Sequence, residues 1–265
     1  MLTRHNRLLI LLFAGCLTAP PTLADDTPSV ARVTTSTVTP WGIVHDNAPM
    51  TGMLVDFQKT LFERAGVPYT NRPEPYPRVI QSIAGGSADV AVMFVSPAAD
   101  QIGENLGNIA EERIVVVTTA TAREVTSLND FAGKLVGHVR GSKYGPVFDQ
   151  HNGIVRTPVT DVEQGLKMLL SGRLAAMAST EHSLLYAMYT AGIDSRQVRI
   201  ALPLFNVKAG LYVSHAAAHE PWVAPLRQAL KTMIDDGSVK AALYQHDYWP
   251  YATFCFAGGQ CLNSR

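Results

Sequence analysis

The sequence predicts an α/β protein built as two compact units between which the chain crosses twice. Three observations carry that expectation. Strand-like and helix-like patterns alternate through most of the chain, they fall into two sets, and no Ser/Gly-rich linker separates the sets. A chain without such a linker crosses between its units twice, here near Thr118 to Arg123 and near Leu202 to Lys208, and paired crossings make a hinge. The 265 residues, 47% of them hydrophobic, supply core for one large domain or two smaller ones.

The first set opens with the β-branched run Val33 to Val38. Leu54, Phe57, Leu61, Phe62 and Ala65 then recur at helical spacing, and Gly66 supplies the left-handed residue that ends a helix. A strand near Tyr69, a helix from Pro77 and the apolar strand Val90 to Phe94 complete two right-handed crossover units. Ligands of such sheets sit at the carboxyl ends of the strands.

The second set begins with the strand Leu135 to Val139, followed by a turn into a helix whose first position suits Pro146. Thr160 and Glu163 have the spacing of a capping box, Leu166, Leu169 and Leu170 form the buried stripe behind it, and Gly172 stops the helix. The strand Ala175 to Ala178 and a helix through Leu184, Leu185 and Met188 follow. After a strand near Val207 to Val213, the last long helix carries Leu226, Leu230, Met233 and Ile234 on one face and ends at Gly237.

The N-terminus reads as an export signal. Arg4 and Arg7 precede an apolar run from Leu8 to Leu17, and Thr22 and Ala24 are small residues where a signal peptidase reads, so cleavage is expected after Ala24. The run is too short to span a bilayer, which needs about 20 apolar residues. Phe13-Ala14-Gly15-Cys16 offers a lipoprotein alternative, with Phe13 where leucine is usual. Removal of the leader leaves Cys255 and Cys261 around "FAGGQ", a pair expected to form one disulfide in the periplasm.

Charge and motifs narrow the chemistry. The 22 basic and 22 acidic residues cancel without blocks of like charge, so no nucleic-acid footprint appears and the partner is a small molecule or a protein. His215 and His219 flank "AAA" without the arrangement of a zinc protease, and no nucleophile elbow, phosphate loop or dinucleotide fingerprint occurs. No cofactor or metal is expected, and no enzymatic activity.

Gly52 with Asp56, then "RVIQSIAGGSADVAVMF", "SLNDFAGKLVGHVRGS", "GLKMLLSGRLAAMAS" and "LRQALKTMIDDGSVKAALYQHDYW" resemble, in order, the landmarks of the family 3 extracellular solute-binding proteins. The resemblance covers roughly Val33 to Trp249. It implies a two-lobed type II periplasmic-binding-protein fold with a two-strand hinge, lobe 1 from residues 25–118 and 208–265 and lobe 2 from 119–207. It also implies a monomer that closes on a small polar, carboxylate-bearing, amino-acid-like solute and serves an ABC permease in the inner membrane. A periplasmic sensor, an accessory protein or a hydro-lyase similar to cyclohexadienyl dehydratase is the alternative use of the same fold.

The resemblance also locates candidate site residues. Ser96 offers a hydroxyl, while Trp41, Tyr76 and Phe94 offer apolar walls, although each aromatic equally suits core packing. Amino-acid binders of the family carry an arginine where this chain has Gln101 and an aspartate where it has Thr180, with Glu181 adjacent, so both zwitterion anchors depart from the pattern. Arg78, Arg140 and Lys143 are the substitute cations, and the amides around Ser142 at a helix start suit an anion; solvated surface charge is the competing reading of all three.

Overall fold

A computed structural model describes residues 29–245 and the pairs 254–255 and 261–262. The export signal with its Ala24 site and Cys16 lies outside the described residues. In chain order the elements are β1 (Ala31–Ser36), β2 (Ile43–His45), β3 (Ala48–Thr51), α1 (Met53–Ala65), β4 (Tyr69–Glu74), α2 (Tyr76–Ala84), β5 (Val90–Phe94), α3 (Pro97–Asp100) and β6 (Gly103–Thr119). They continue with β7 (Leu135–Val139), α4 (Pro146–Asp149), β8 (Val155–Val159), α5 (Val162–Leu170), β9 (Ala176–Thr180), α6 (Glu181–Thr190), β10 (Val198–Ser214), α7 (Val223–Asp235), α8 (Ser238–Leu243), β11 (Phe254–Cys255) and β12 (Cys261–Leu262).

Eight strands form one continuous sheet in the order β4-β1-β5-β10-β6-β9-β7-β8. Its two ends are parallel α/β layers, and helices cover both faces of each. On β5, Val90 and Val92 face the core beneath α1, α7 and α8, whereas Ala91 and Met93 face Val79 and Ile83 of α2. On β6 the same alternation sends Val115 and Val117 toward α5 and α6, and Ile114 and Val116 toward Phe131 and Phe148. Burial on both faces explains why β5 reads as an unbroken apolar run.

Among the described strands only β6 and β10 belong to both layers. β10 pairs β5 through Ala209–Val213, and β6 pairs β9 through Ile114–Val117. Between these stretches β6 and β10 pair with each other, Glu111 to Arg113 opposite Lys208 to Asn206. This is the two-strand hinge of a two-lobed fold. The first crossing therefore lies at Glu111 to Arg113, upstream of the expected Thr118 to Arg123: Thr118 and Thr119 are already paired with Arg199 and Val198 inside the second lobe. The second crossing falls within Leu202 to Lys208.

Most local signals hold with small shifts. α1 ends at Gly66, whose φ of 65° is the left-handed geometry that favours glycine. α5 is capped differently from expectation. Asp161, not Thr160, is its N-cap and accepts from Gln164 N at 2.7 Å, while Gln164 accepts from Thr160 N, one residue before the N-cap, at 2.7 Å, so the expected Thr160/Glu163 box does not form. Ile234 is 42% exposed and lies off the buried stripe of α7. Asp89 joins β1 to β5, accepting from Arg32 N at 2.8 Å and Arg32 Nε at 2.9 Å.

Candidate functional site

The carboxyl ends of the strands of both lobes converge on a cleft of about 670 Å³, part of it open to solvent. From the first lobe come Ser36 at the end of β1, Val38 and Trp41 just beyond it, Tyr76 at the start of α2, and Val92 to Phe94 of β5. From the second come Val139 at the end of β7, Ser142 to Tyr144 in the loop after it, Ser179 and Thr180 at the end of β9, and Ser183 in α6. Leu54, Val162 and Ala209 complete the lining. The lobes also touch at the rim: a Cβ added to Gly141 would fall 2.4 Å from Pro77 Cγ.

The walls are mostly apolar and the polar groups among them are mostly hydroxyls. Tyr76 Oη accepts from Phe94 N at 3.0 Å, and burial pushes its phenol up to about 12 although that hydrogen bond favours the ionised form. Burial also pushes Tyr144 up to about 12, so both tyrosines stay protonated. Thr180 is the N-cap of α6 but its side chain makes no capping bond. Thr180 is 8% exposed and Ser183 2%, and neither hydroxyl has a partner among the described residues. Lys143, itself exposed, is the one charged side chain among the described lining residues.

A second polar group lies at the hinge. Glu112 of β6 is fully buried and its Oε1 contacts His182 Nδ1. His182 Nε2 is 2.8 Å from Tyr244 Oη, and its ring stands edge-on to Trp41 with centroids 5.7 Å apart. Burial opposes protonation of this imidazole, but the charge of Glu112, their hydrogen bond and the charge of Glu181 outweigh it and hold the pKa above the ordinary value. Because Trp41 and Tyr244 pack on the first-lobe core, His182 ties α6 to the other lobe. Beside it Arg113 of β6 holds Glu181 through Nε at 2.7 Å and a terminal nitrogen at 3.1 Å.

Of the residues singled out in the sequence, Trp41, Tyr76, Phe94, Ser142, Lys143 and Thr180 line the cleft together. The other five do not. Arg78 is exposed on α2, outside the lining. Ser96 is spent as the N-cap of α3, accepting from Ala99 N at 3.2 Å. Gln101 is exposed at the end of that helix, and Arg140 is exposed with its backbone N bonded to Val159 O at 2.9 Å. Glu181 turns to Arg113 instead of the cavity. Ser36, Ser179, Ser183 and Tyr144 escaped the sequence reading because single hydroxyls carry no pattern. Glu112 escaped it because "EER" looks like solvated charge.

Among the described residues no cluster of three or more His, Cys, Asp or Glu could hold a metal ion, and no helix is long and apolar enough to cross a membrane. No protein-family model and no curated protein matches the chain. Solved structures do. An arginine-binding protein of T. maritima, in a mutant form, is 15% identical with a TM-score of 0.67, covering 82% of this chain and 93% of that one. The glutamate-bound GluR0 ligand-binding core of Nostoc punctiforme is 19% identical with a TM-score of 0.68, covering 83% and 99%. A histidine kinase sensor domain described as similar to periplasmic binding proteins is 14% identical with a TM-score of 0.68, covering 82% and 95%. At these identities the likeness is one of architecture: the chain has the two-lobed fold of the periplasmic binding proteins.

Proposed function

We propose that the protein captures a small solute between its lobes in the periplasm and presents the closed form to an ABC permease. The observation that carries this reading is the cleft lined from both lobes about a two-strand hinge. Its support from outside is that two of the similar structures are, by their descriptions, amino-acid-binding. On this reading lobe 1 comprises residues 29–111 and 208–245 of the described chain, and lobe 2 the part between. A solute that touches both lobes makes contacts in the closed state that the open state lacks, and so shifts the population toward closure. A thermal-shift screen over amino acids, organic acids and opines finds the solute by mass action. Small-angle scattering should then show compaction at saturation; an unchanged radius of gyration with a saturating ligand would count against hinge closure.

A sensory role is the second reading, favoured by the likeness to a kinase sensor domain. Co-purification with a permease rather than with a kinase separates the two. The hydro-lyase alternative would draw on Glu181 and Lys143 for acid–base chemistry, and here Glu181 is paired to Arg113 outside the cleft lining.

Export and the disulfide belong to the same reading. Cys255 and Cys261 stand directly opposite each other in the β11/β12 pair. Opposed residues of antiparallel strands have Cα atoms roughly 4.5–5.5 Å apart, within the range that a disulfide spans. Intact mass of periplasmic material should equal that of residues 25–265 less two hydrogens. A diacylated Cys16, or two thiols that alkylate without reduction, would refute this maturation.

A further inference from the structure

The cleft contains the means to hold a negative charge and lacks the means to hold a positive one. Its one charged lining side chain among the described residues is Lys143. Among the described residues no carboxylate lines it: Glu112 is committed to His182 and Glu181 to Arg113. The first turn of α6, ten residues long, is a distinct feature of the same wall. Its leading backbone N–H groups have no helical partners, and the helix dipole places partial positive charge there. Thr180 and Ser183 add two buried hydroxyls that line the cavity and donate to nothing among the described residues. The Glu181 carboxylate on that turn is already neutralised by the bidentate Arg113. A hydroxyl left unpaired in an apolar wall is costly, and a ligand oxygen relieves that cost.

We propose that the cleft takes a small carboxylate with an apolar body and no ammonium group, seated by its carboxylate on Thr180 and Ser183 at the first turn of α6. Val38, Trp41, Val92, Phe94 and Val139 enclose the body. An α-amino acid fits this site poorly, because its ammonium would be buried without an anionic partner. The inference rests on the solute-binding reading and specifies the ligand class.

Matched probes test it by isothermal titration of the whole protein. One series is 4-methylpentanoate, leucine and isopentylamine; the other is 3-phenylpropanoate, phenylalanine and 2-phenylethylamine. At least one of the two carboxylates should bind about tenfold or more tightly than its amino acid, with the amines weaker still. Thr180→Val and Ser183→Ala should each weaken that carboxylate by roughly tenfold. Thr180→Asp should reverse the order of preference, while Arg78→Ala, altered outside the cleft, should leave it untouched. Equal or tighter binding of the amino acid overturns the ligand class and leaves solute capture standing. Failure of all six probes also overturns the class, and the wider thermal-shift screen then judges solute capture on its own. Wild-type affinity in both Thr180→Val and Ser183→Ala would overturn the seat at α6.

Discussion

His182→Ala is expected to destabilise the protein by about 3–5 kcal/mol, the cost typical of leaving a buried charge without its partner. The partner in question is Glu112, which is fully buried and meets His182 Nδ1. The same substitution removes the 2.8 Å contact with Tyr244 Oη and the edge contact with Trp41. Denaturant titration measures the loss. A second variant isolates its cause: Glu112→Gln combined with His182→Ala should recover part of the stability, because no charge is then stranded. If the double variant is as unstable as the single one, lost packing and not the stranded carboxylate is responsible.

The pH dependence has a defined sign. The folded protein holds the His182 pKa above its unfolded value of 6.5. A group raised in this way contributes fully below its unfolded pKa, and the contribution is lost as pH rises through the folded one. Stability of the wild-type protein should therefore decline on going upward from about pH 6.5. In His182→Ala that component of the slope should vanish. An identical pH profile in the variant would show that His182 is not its source.

Gly141→Ala is expected to weaken solute binding by roughly fivefold to a hundredfold, corresponding to the ~1–3 kcal/mol of a steric insertion at a packed contact. Two effects are superposed at this residue. Its φ of 77° strains any side chain by about 1–2 kcal/mol, but that strain is present whether the cleft is open or closed. In this structure the new Cβ would fall 2.4 Å from Pro77 Cγ of the opposite lobe, so on the proposed reading of closure it hinders the approach of the lobes. Affinity should consequently fall while the thermal stability of the ligand-free protein changes little beyond the backbone term. Calorimetric titration beside a melting curve separates the two, and unaltered affinity would mean that the Pro77 contact is not part of closure.

The parts of the fold that were legible in the sequence are those whose environment stays constant along the element. α1 keeps one face on the core for its whole length and ends on a glycine in the required conformation, so spacing and stop signal agree. β5 is buried on both sides throughout and reads as an apolar run. The two 17-residue strands β6 and β10 were not legible as wholes, because each passes from one core to the other through a polar stretch, "GNIAEER" in the first case, where alternation breaks down. The site was legible in the same uneven way. Aromatic and glycine signals led to Trp41, Tyr76, Phe94 and the Ser142 loop, all of which reach the cleft. The charged residues divided: Lys143 lines the cleft, whereas Arg78 and Arg140 lie on the surface and Glu181 pairs with Arg113 of the hinge strand. Whether a charge faces solvent, a cleft or another charge depends on elements far away in sequence.

The ribbon made by β6 and β10 has a mechanical consequence for selectivity. Where Asn206–Lys208 pair regularly with Arg113–Glu111, the antiparallel strands bend across their width more readily than they slide, because a slip of one residue would exchange the faces of the paired side chains. The ribbon therefore acts as a leaf spring with one soft direction. On the proposed reading of closure, each stroke would return Ser142, Lys143 and Thr180 to the same alignment with Trp41 and Phe94, and a molecule that does not match would not be accommodated by a sideways offset of the lobes. Shape would then be tested by the stroke itself, before any single hydrogen bond is strong enough to choose.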